Sequence, residues 1–280
     1  MEFVPSEKAL PIRVPSTANL MIDSADRDAD MFLFPNSFSI IKTNSILNGF
    51  FTRVGTTEVV LDWFQGNISP GDFTDSLVAE VGSVAYTFDA PTGFYTQAQL
   101  IQWMIIQLNK IPGGITWTAN TTSGSGVALI PSGAITIGFA GSIAVKLGID
   151  SPPVAYDLGD GLLIYAQDLR LYSYIDIVCN QLTYNQSVKD ASTAKIVRDV
   201  LVRWYFAFDQ PPALDAYGFP ILMGYTPFCL RRTFSPAKQS MWENNIPVGN
   251  LEFQVYDPNG QLAIMSARTQ YQLTLQASEV

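Results

Sequence analysis

The sequence predicts a mainly β protein, an antiparallel β-sandwich of the jelly-roll kind with a small α+β subdomain inserted into it. Three observations carry this expectation. Short apolar runs with a period of two recur along most of the chain, separated by Gly, Pro, Asn and Asp turns. One segment alone, Thr96 to Ile111, keeps a helical period over several turns. Nowhere do strands alternate with helices in the βαβ manner that a parallel sheet requires. With 280 residues, 48% of them hydrophobic, the chain is long enough for one large β domain or two smaller ones. Charged residues make up 15% of it, against about 25% in ordinary soluble domains. Mean hydropathy is +0.16, so the polar surface available to cover the fold is thin and part of the apolar surface is expected to meet another protein.

Residues 1–16 are spaced by Pro5, Pro11 and Pro15 and lack periodicity, which predicts an extended N-terminal arm. Residues 17–83 form the first part of the sandwich, with strands expected at Asn19–Ser24, at Ser37–Ile41 after the Pro35-Asn36 turn, at Ser45–Phe51 and at Thr56–Phe64. Residues 84–149 form the inserted α+β subdomain. Its helix starts at Thr96, a side-chain cap with Gln99 three residues on as in a capping box, continues through Leu100, Ile101, Trp103, Met104, Ile105 and Leu108, and stops at Pro112-Gly113-Gly114. Strand-like VAYTFDA, ITWTA, GVALI and AITIGF flank it, and a shorter helix is expected over Ser142–Leu147.

Residues 150–280 complete the sandwich. Leu171, Ser173, Ile175, Ile177 and Cys179 share one strand face, with Tyr172, Tyr174, Asp176 and Val178 on the other. Val200, Val202, Trp204, Phe206 and Phe208 make a heavily aromatic face, read as core. Leu251, Phe253 and Val255 alternate with polar residues, Asp257-Pro258-Asn259-Gly260 supplies a turn, and Tyr271, Leu273 and Leu275 alternate again, so the chain is expected to end in a β-hairpin or near equivalent.

The chemistry points away from catalysis. The chain has no histidine, which removes the commonest general base, the usual zinc ligand and the Ser-His and Cys-His nucleophile pairs. Asp62, Asp157, Asp160 and Asp176 are the carboxylates that could converge, but nothing in the sequence pairs them. No catalytic, cofactor-binding or metal-binding residue is assigned, and no cofactor is expected. Asp26, Asp28 and Asp30 resemble the start of a calcium loop, yet Met31 stands where its glycine belongs and Ser37 where its closing glutamate belongs, so the cluster around Asp23 reads as a solvated turn. The glycines at 113–114 and 124–126 precede strands and form no phosphate loop. A net charge of −9 opposes direct nucleic-acid binding. The densest basic group, Arg231-Arg232 with Lys238, reads as a strand end.

No apolar run reaches the roughly 18 residues of a membrane span. The N-terminus carries charges and prolines where a signal peptide would be apolar. Cys179 and Cys229 read as two buried thiols in a reducing compartment, where the sequons at Asn67, Asn120 and Asn185 carry little meaning. Trp63, Trp117 and Trp242 are the residues that a carbohydrate-binding groove would use, though strand-interior packing is the plainer reading.

Four segments together resemble capsid proteins of virophages, polinton-like viruses and related large eukaryotic DNA viruses. They are MIDSADRD (Met21–Asp28) with FPNSFSI (Phe34–Ile40), TGFYTQAQLIQWMIIQLN (Thr92–Asn109), ITIGFAGSIAVKLGI (Ile135–Ile149), and NLEFQVYDPNGQL (Asn250–Leu262) with YQLTL (Tyr271–Leu275). The resemblance implies a single jelly-roll penton, since the chain is too short for the double jelly roll of a major capsid protein with its tower loops. It further implies a homopentamer at the fivefold vertices of an icosahedral capsid, contact with the major capsid protein of the same virus, and location in the virion after assembly inside the host cell. The alternatives are a minor capsid or cement protein between major capsomers and, from another class, a carbohydrate- or receptor-binding β-sandwich module.

Overall fold

The computed structural model of the chain describes residues 17–41, 51, 53–69, 75–122, 126–157, 161–183, 200–207, 210–241 and 249–278. The expected N-terminal arm, nearly all of the expected strand Ser45–Phe51, and Asp160, Asn185, Phe208 and Trp242 lie outside them. In chain order the described elements begin with β1 (Thr17–Asp23), β2 (Ser37–Ile41) and β3 (Arg53–Trp63). A second group follows: β4 (Ser76–Val81), β5 (Val84–Asp89), α1 (Gln97–Leu108), β6 (Trp117–Thr122), β7 (Gly126–Pro131), β8 (Ile135–Ala140), α2 (Ser142–Leu147), β9 (Ser151–Tyr156) and β10 (Leu162–Tyr165). The chain then returns through β11 (Tyr174–Val178), α3 (Asn180–Thr183), β12 (Val200–Tyr205), β13 (Phe228–Met241), β14 (Asn250–Tyr256) and β15 (Gln270–Ser278).

The first and last groups make two four-stranded antiparallel sheets, ordered β1-β15-β3-β13 and β12-β11-β14-β2. Within these eight strands the first pairs with the last, the second with the next to last, and so on inward, and successive pairs alternate between the two sheets. That is a jelly roll, a long antiparallel ribbon rolled up so that both of its layers bury one face. The alternation read in the sequence supplies those faces: Ile22, Val59, Leu61, Trp63 and Leu273 from one sheet meet Phe38, Ile175, Val202, Trp204 and Phe253 from the other. Edge-to-face packing of Trp63 on Phe206, with centroids 4.8 Å apart, and stacking of Phe38 on Phe253 at 5.4 Å each contribute about 1 kcal/mol beyond the area they bury.

Two local expectations change. The chain does not end in a hairpin, because β14 and β15 lie in opposite sheets. Both strands bury their odd-numbered residues in the same core, with Phe38 between Phe253 and Tyr271, and residues 257–269 cross from one layer to the other. The face assignment over 171–179 holds for Ile175, Ile177 and Cys179, whereas Tyr172 is buried and Ser173 exposed, since the strand begins only at Tyr174.

Register fixes which loops share an end. Asp23 faces Gln272, Ser37 faces Gln254, Trp63 faces Phe228 and Tyr174 faces Tyr205, so residues 24–36, 64–173, 206–227 and 257–269 all leave the sandwich at one end. The segment 64–173 builds a second core there. Sheets β5-β4-β8-β9 and β10-β7-β6 share this core with one face each of α1 and α2, which contribute Leu100, Ile101, Met104, Ile143 and Leu147. The capping box that starts α1 is complete: Thr96 Oγ1 accepts from the Gln99 amide and Gln99 Oε1 accepts from the Thr96 amide. Strands β4, β9 and β10, on either side of 84–149, pair with β8 and β7 within it, and Phe219 and Tyr225 from the 206–227 connection enter the same core. Among the described residues no helix is long and apolar enough to cross a membrane.

Candidate functional site

Of the four carboxylates that the sequence offered for chemistry, the three described ones lie at different elements. Asp62 lies on β3 and Asp176 on β11, in opposite sheets, and Asp157 follows β9 in the second group of strands. Asp176 is buried and takes two bonds from Arg203, Nε to Oδ1 at 2.7 Å and Nη2 to Oδ2 at 2.9 Å. The guanidinium sits 4.0 Å from the Tyr174 ring centroid, and its bonds to Asp176 hold its pKa above the ordinary arginine value. This pair locks the outer face of the sheet.

Asp23 and Asp28 serve their own turns, accepting from the amides of Ala25 and Asp30 respectively. Arg27 ties the loop down by donating to the carbonyls of Ser24, Phe32, Leu33 and Ala267. Among the described residues no three His, Cys, Asp or Glu side chains are grouped to hold a metal ion. The basic pair is engaged within the fold: Arg231 bonds Glu58, and Arg232 donates to the Ala207 carbonyl while lying 4.6 Å over the Trp204 ring.

The cysteines divide. Cys179 is buried, and burial pushes its thiol up to about 12. Cys229 is exposed, which corrects the expectation of two buried thiols: its side chain falls on the outward parity of β13 between the inward-packed Phe228 and Leu230. Trp63, Trp117 and Trp204 are all buried, so none of them can stack on a sugar ring or a base.

A polar cluster that the sequence did not expose joins the two cores. Asn67 is fully buried; its Nδ2 donates to the carbonyls of Tyr95 and Leu169, and its Oδ1 accepts from the Tyr95 amide. Gln97 spans from the Tyr165 carbonyl to the Gln167 amide, and Tyr225 accepts from the Leu169 amide while donating to the Gln167 carbonyl. Asp215 accepts from the Ala98 amide at the start of α1. Gly66 passes so close to Gly93 that an added Cβ would lie 2.3 Å from its carbonyl oxygen. Burial alone would raise Asp168, but the bonds and charge of Arg170 together hold it below its usual value, and Arg170 also donates to the Phe206 carbonyl. The outgoing, returning and 206–227 segments are thereby stitched into one root.

One apolar cavity of about 310 Å³ opens in the second group, lined by Val81, Leu108, Ile111, Trp117 and Ile135, with Thr136 its sole hydroxyl.

No family model and no curated protein matches this sequence. Among solved structures, the crystal structure of the mavirus penton protein superposes with a TM-score of 0.50 at 13% identity, over 95% of this chain and 99% of that one. The two proteins share one fold. A chain from the structure of the Sputnik virophage gives a TM-score of 0.48 at 13% identity, over 94% of this chain and 98% of that one. The likeness to the mavirus penton protein extends through the jelly roll and the 64–173 segment alike, since it spans nearly the whole of both chains.

Proposed function

We propose that the chain is a structural protein of a viral capsid, the penton subunit, five copies of which close each fivefold vertex of an icosahedral shell. The observation that carries this reading is the jelly roll with its 64–173 segment, similar in fold to the mavirus penton protein from end to end. The polar groups at the root bond one another, as suits a part that supports the fold. The protein acts through surfaces it shares with further copies and with the major capsid protein, and it carries out no turnover. Its place is the virion, reached by assembly in the host cell.

In this reading the segment 64–173 is an upper domain that stands on the sandwich. The five copies form a ring by heterologous contacts, each giving one flank to one neighbour and the opposite flank to the other. Residues 1–16 act as an arm that docks on a neighbour at small entropic cost, because their prolines already restrict the chain. Native mass spectrometry of the purified full-length chain, with particle imaging, tests the proposal. Fivefold rings are expected. Monomers or trimers at every concentration would overturn it in favour of a minor capsid protein, and specific glycan binding would favour the binding-module alternative.

A further inference from the structure

The two flanks of the sandwich are unlike, and unlike in complementary ways. On one flank, β1 and β2 are the edge strands of their sheets among the described residues, and the connection between them carries Met31, 74% exposed, Leu33, 61% exposed, and Phe34, together with the exposed carboxylates of Asp26, Asp28 and Asp30. Met21, 79% exposed, projects outward from β1 beside them. On the opposite flank, β12 and β13 are the edge strands among the described residues; Arg203 and the exposed Tyr205 stand on the outer side of β12, Arg231 and the exposed Cys229 on the outer side of β13, and Arg232 reaches between the two strands to the Trp204 ring. Among the described residues, Arg203 pairs with Asp176 and Arg231 with Glu58, Asp62 lies opposite Cys229 in the β3–β13 register, and Arg232 has a carbonyl and a ring as partners but no carboxylate pair.

Both flanks are held ready. Arg27 and Asn36 fix the β1–β2 connection by donating to backbone carbonyls, including Ala267 and Ala263 across the loop cluster. Each arginine of the other flank is pinned by a carboxylate, a carbonyl or a ring. Groups already immobilised lose little entropy on docking, and tyrosine with arginine is the composition in which interface energy concentrates.

Resting on the pentamer reading, we infer that the partner of the acidic, apolar β1–β2 flank is the β12–β13 flank of a second copy of this chain. The apolar groups of the first flank pack on Tyr205 and the arginine stems of the second, while Asp26 and Asp30 face the guanidinium groups. A contact between two different flanks of the same protein is the heterologous kind that closes a ring.

Cys229 makes the pairing testable with a single added thiol, since Cys179 is buried. The full-length Leu33→Cys variant is treated with a short bis-maleimide reagent under conditions in which the protein is pentameric. A covalent ladder reaching five chains is expected, and it disappears in Leu33→Cys/Cys229→Ser. Asp26→Arg/Asp30→Arg is expected to raise the concentration at which pentamers dissociate roughly tenfold while the monomer stays folded. Pentamers that give no ladder, or a dissociation concentration unmoved by the charge reversal, would overturn this pairing and leave the pentamer standing. A wild-type chain that never forms pentamers would overturn both.

Discussion

Removing Arg203 should hurt the fold far more than removing its partner Asp176, although the two make the same pair of bonds. The carboxylate side chain is only 5% exposed, while the guanidinium side chain is 39% exposed. Arg203→Met leaves a buried charge with no counter-charge, which costs about 3–5 kcal/mol at a fully buried site. Because water reaches the outer end of this one, about 3 kcal/mol is the expected loss. Asp176→Leu leaves a cation that solvent can hydrate and that still lies over the Tyr174 ring, so about 1 kcal/mol should be lost. The double variant Asp176→Leu/Arg203→Met removes both charges and should cost no more than about 1 kcal/mol, giving a coupling of about 3 kcal/mol. Urea unfolding at one low protein concentration, where association does not contribute, measures all four proteins, and a shift of roughly 2–4 °C in Tm per kcal/mol gives a second reading. Equal losses in the two single variants, or a double variant that shows their sum, would refute the asymmetry of burial on which this rests.

Asn67→Ala removes three buried hydrogen bonds at the root of the 64–173 segment, so about 3 kcal/mol should be lost, and hydrogen exchange should quicken in α1 more than in β15. Alkali should destabilise the protein. Burial raises Cys179 and Tyr225 to about 12 from 9.0 and 10.0, so both stay neutral in the folded state after the unfolded chain has begun to ionise. Their contribution is complete below about pH 9 and is lost as pH climbs toward about 12. Tyr225→Phe should flatten the slope of stability against pH between about 10 and 12, and an unchanged slope would count against it.

Strands and helices were readable because each is announced locally. The capping box at Thr96 and Gln99 and the aromatic alternation through Trp204 and Phe206 are decided by neighbours a few residues away, and they hold. What the sequence concealed is which strands pair. The runs around Phe253 and Tyr271 look like the arms of a hairpin because a period of two states that a face is buried without stating in which sheet. The root cluster was hidden for a related reason: Asn67, Gln97 and the pair Asp215 and Tyr225 come from three separate stretches, and a buried polar residue resembles a loop residue until its partners are known. Gly66 and Gly93, each beside a member of that cluster or the chain crossing it, were the nearest available signal. The exposure of Cys229 depended on the parity of β13, whose packing against β3 only the pairing decides.

The point at which the 64–173 segment enters the jelly roll bears on the pentamer proposed above. It leaves from β3 and returns to β11, and both are interior strands of their sheets, flanked by β15 and β13 and by β12 and β14. A segment rooted there rises from the middle of the sandwich end, with the loop cluster of β1, β2 and β15 on one side and the 206–227 connection on the other. The connection does buttress it, through Phe219, Tyr225 and Asp215. An insertion between edge strands, such as β1 and β2, would instead crowd one flank of the sandwich. In the pentamer proposed above, a root on interior strands keeps the segment off the edge strands β1, β2, β12 and β13, so what is carried outward can vary without altering the flanks assigned to neighbour contact.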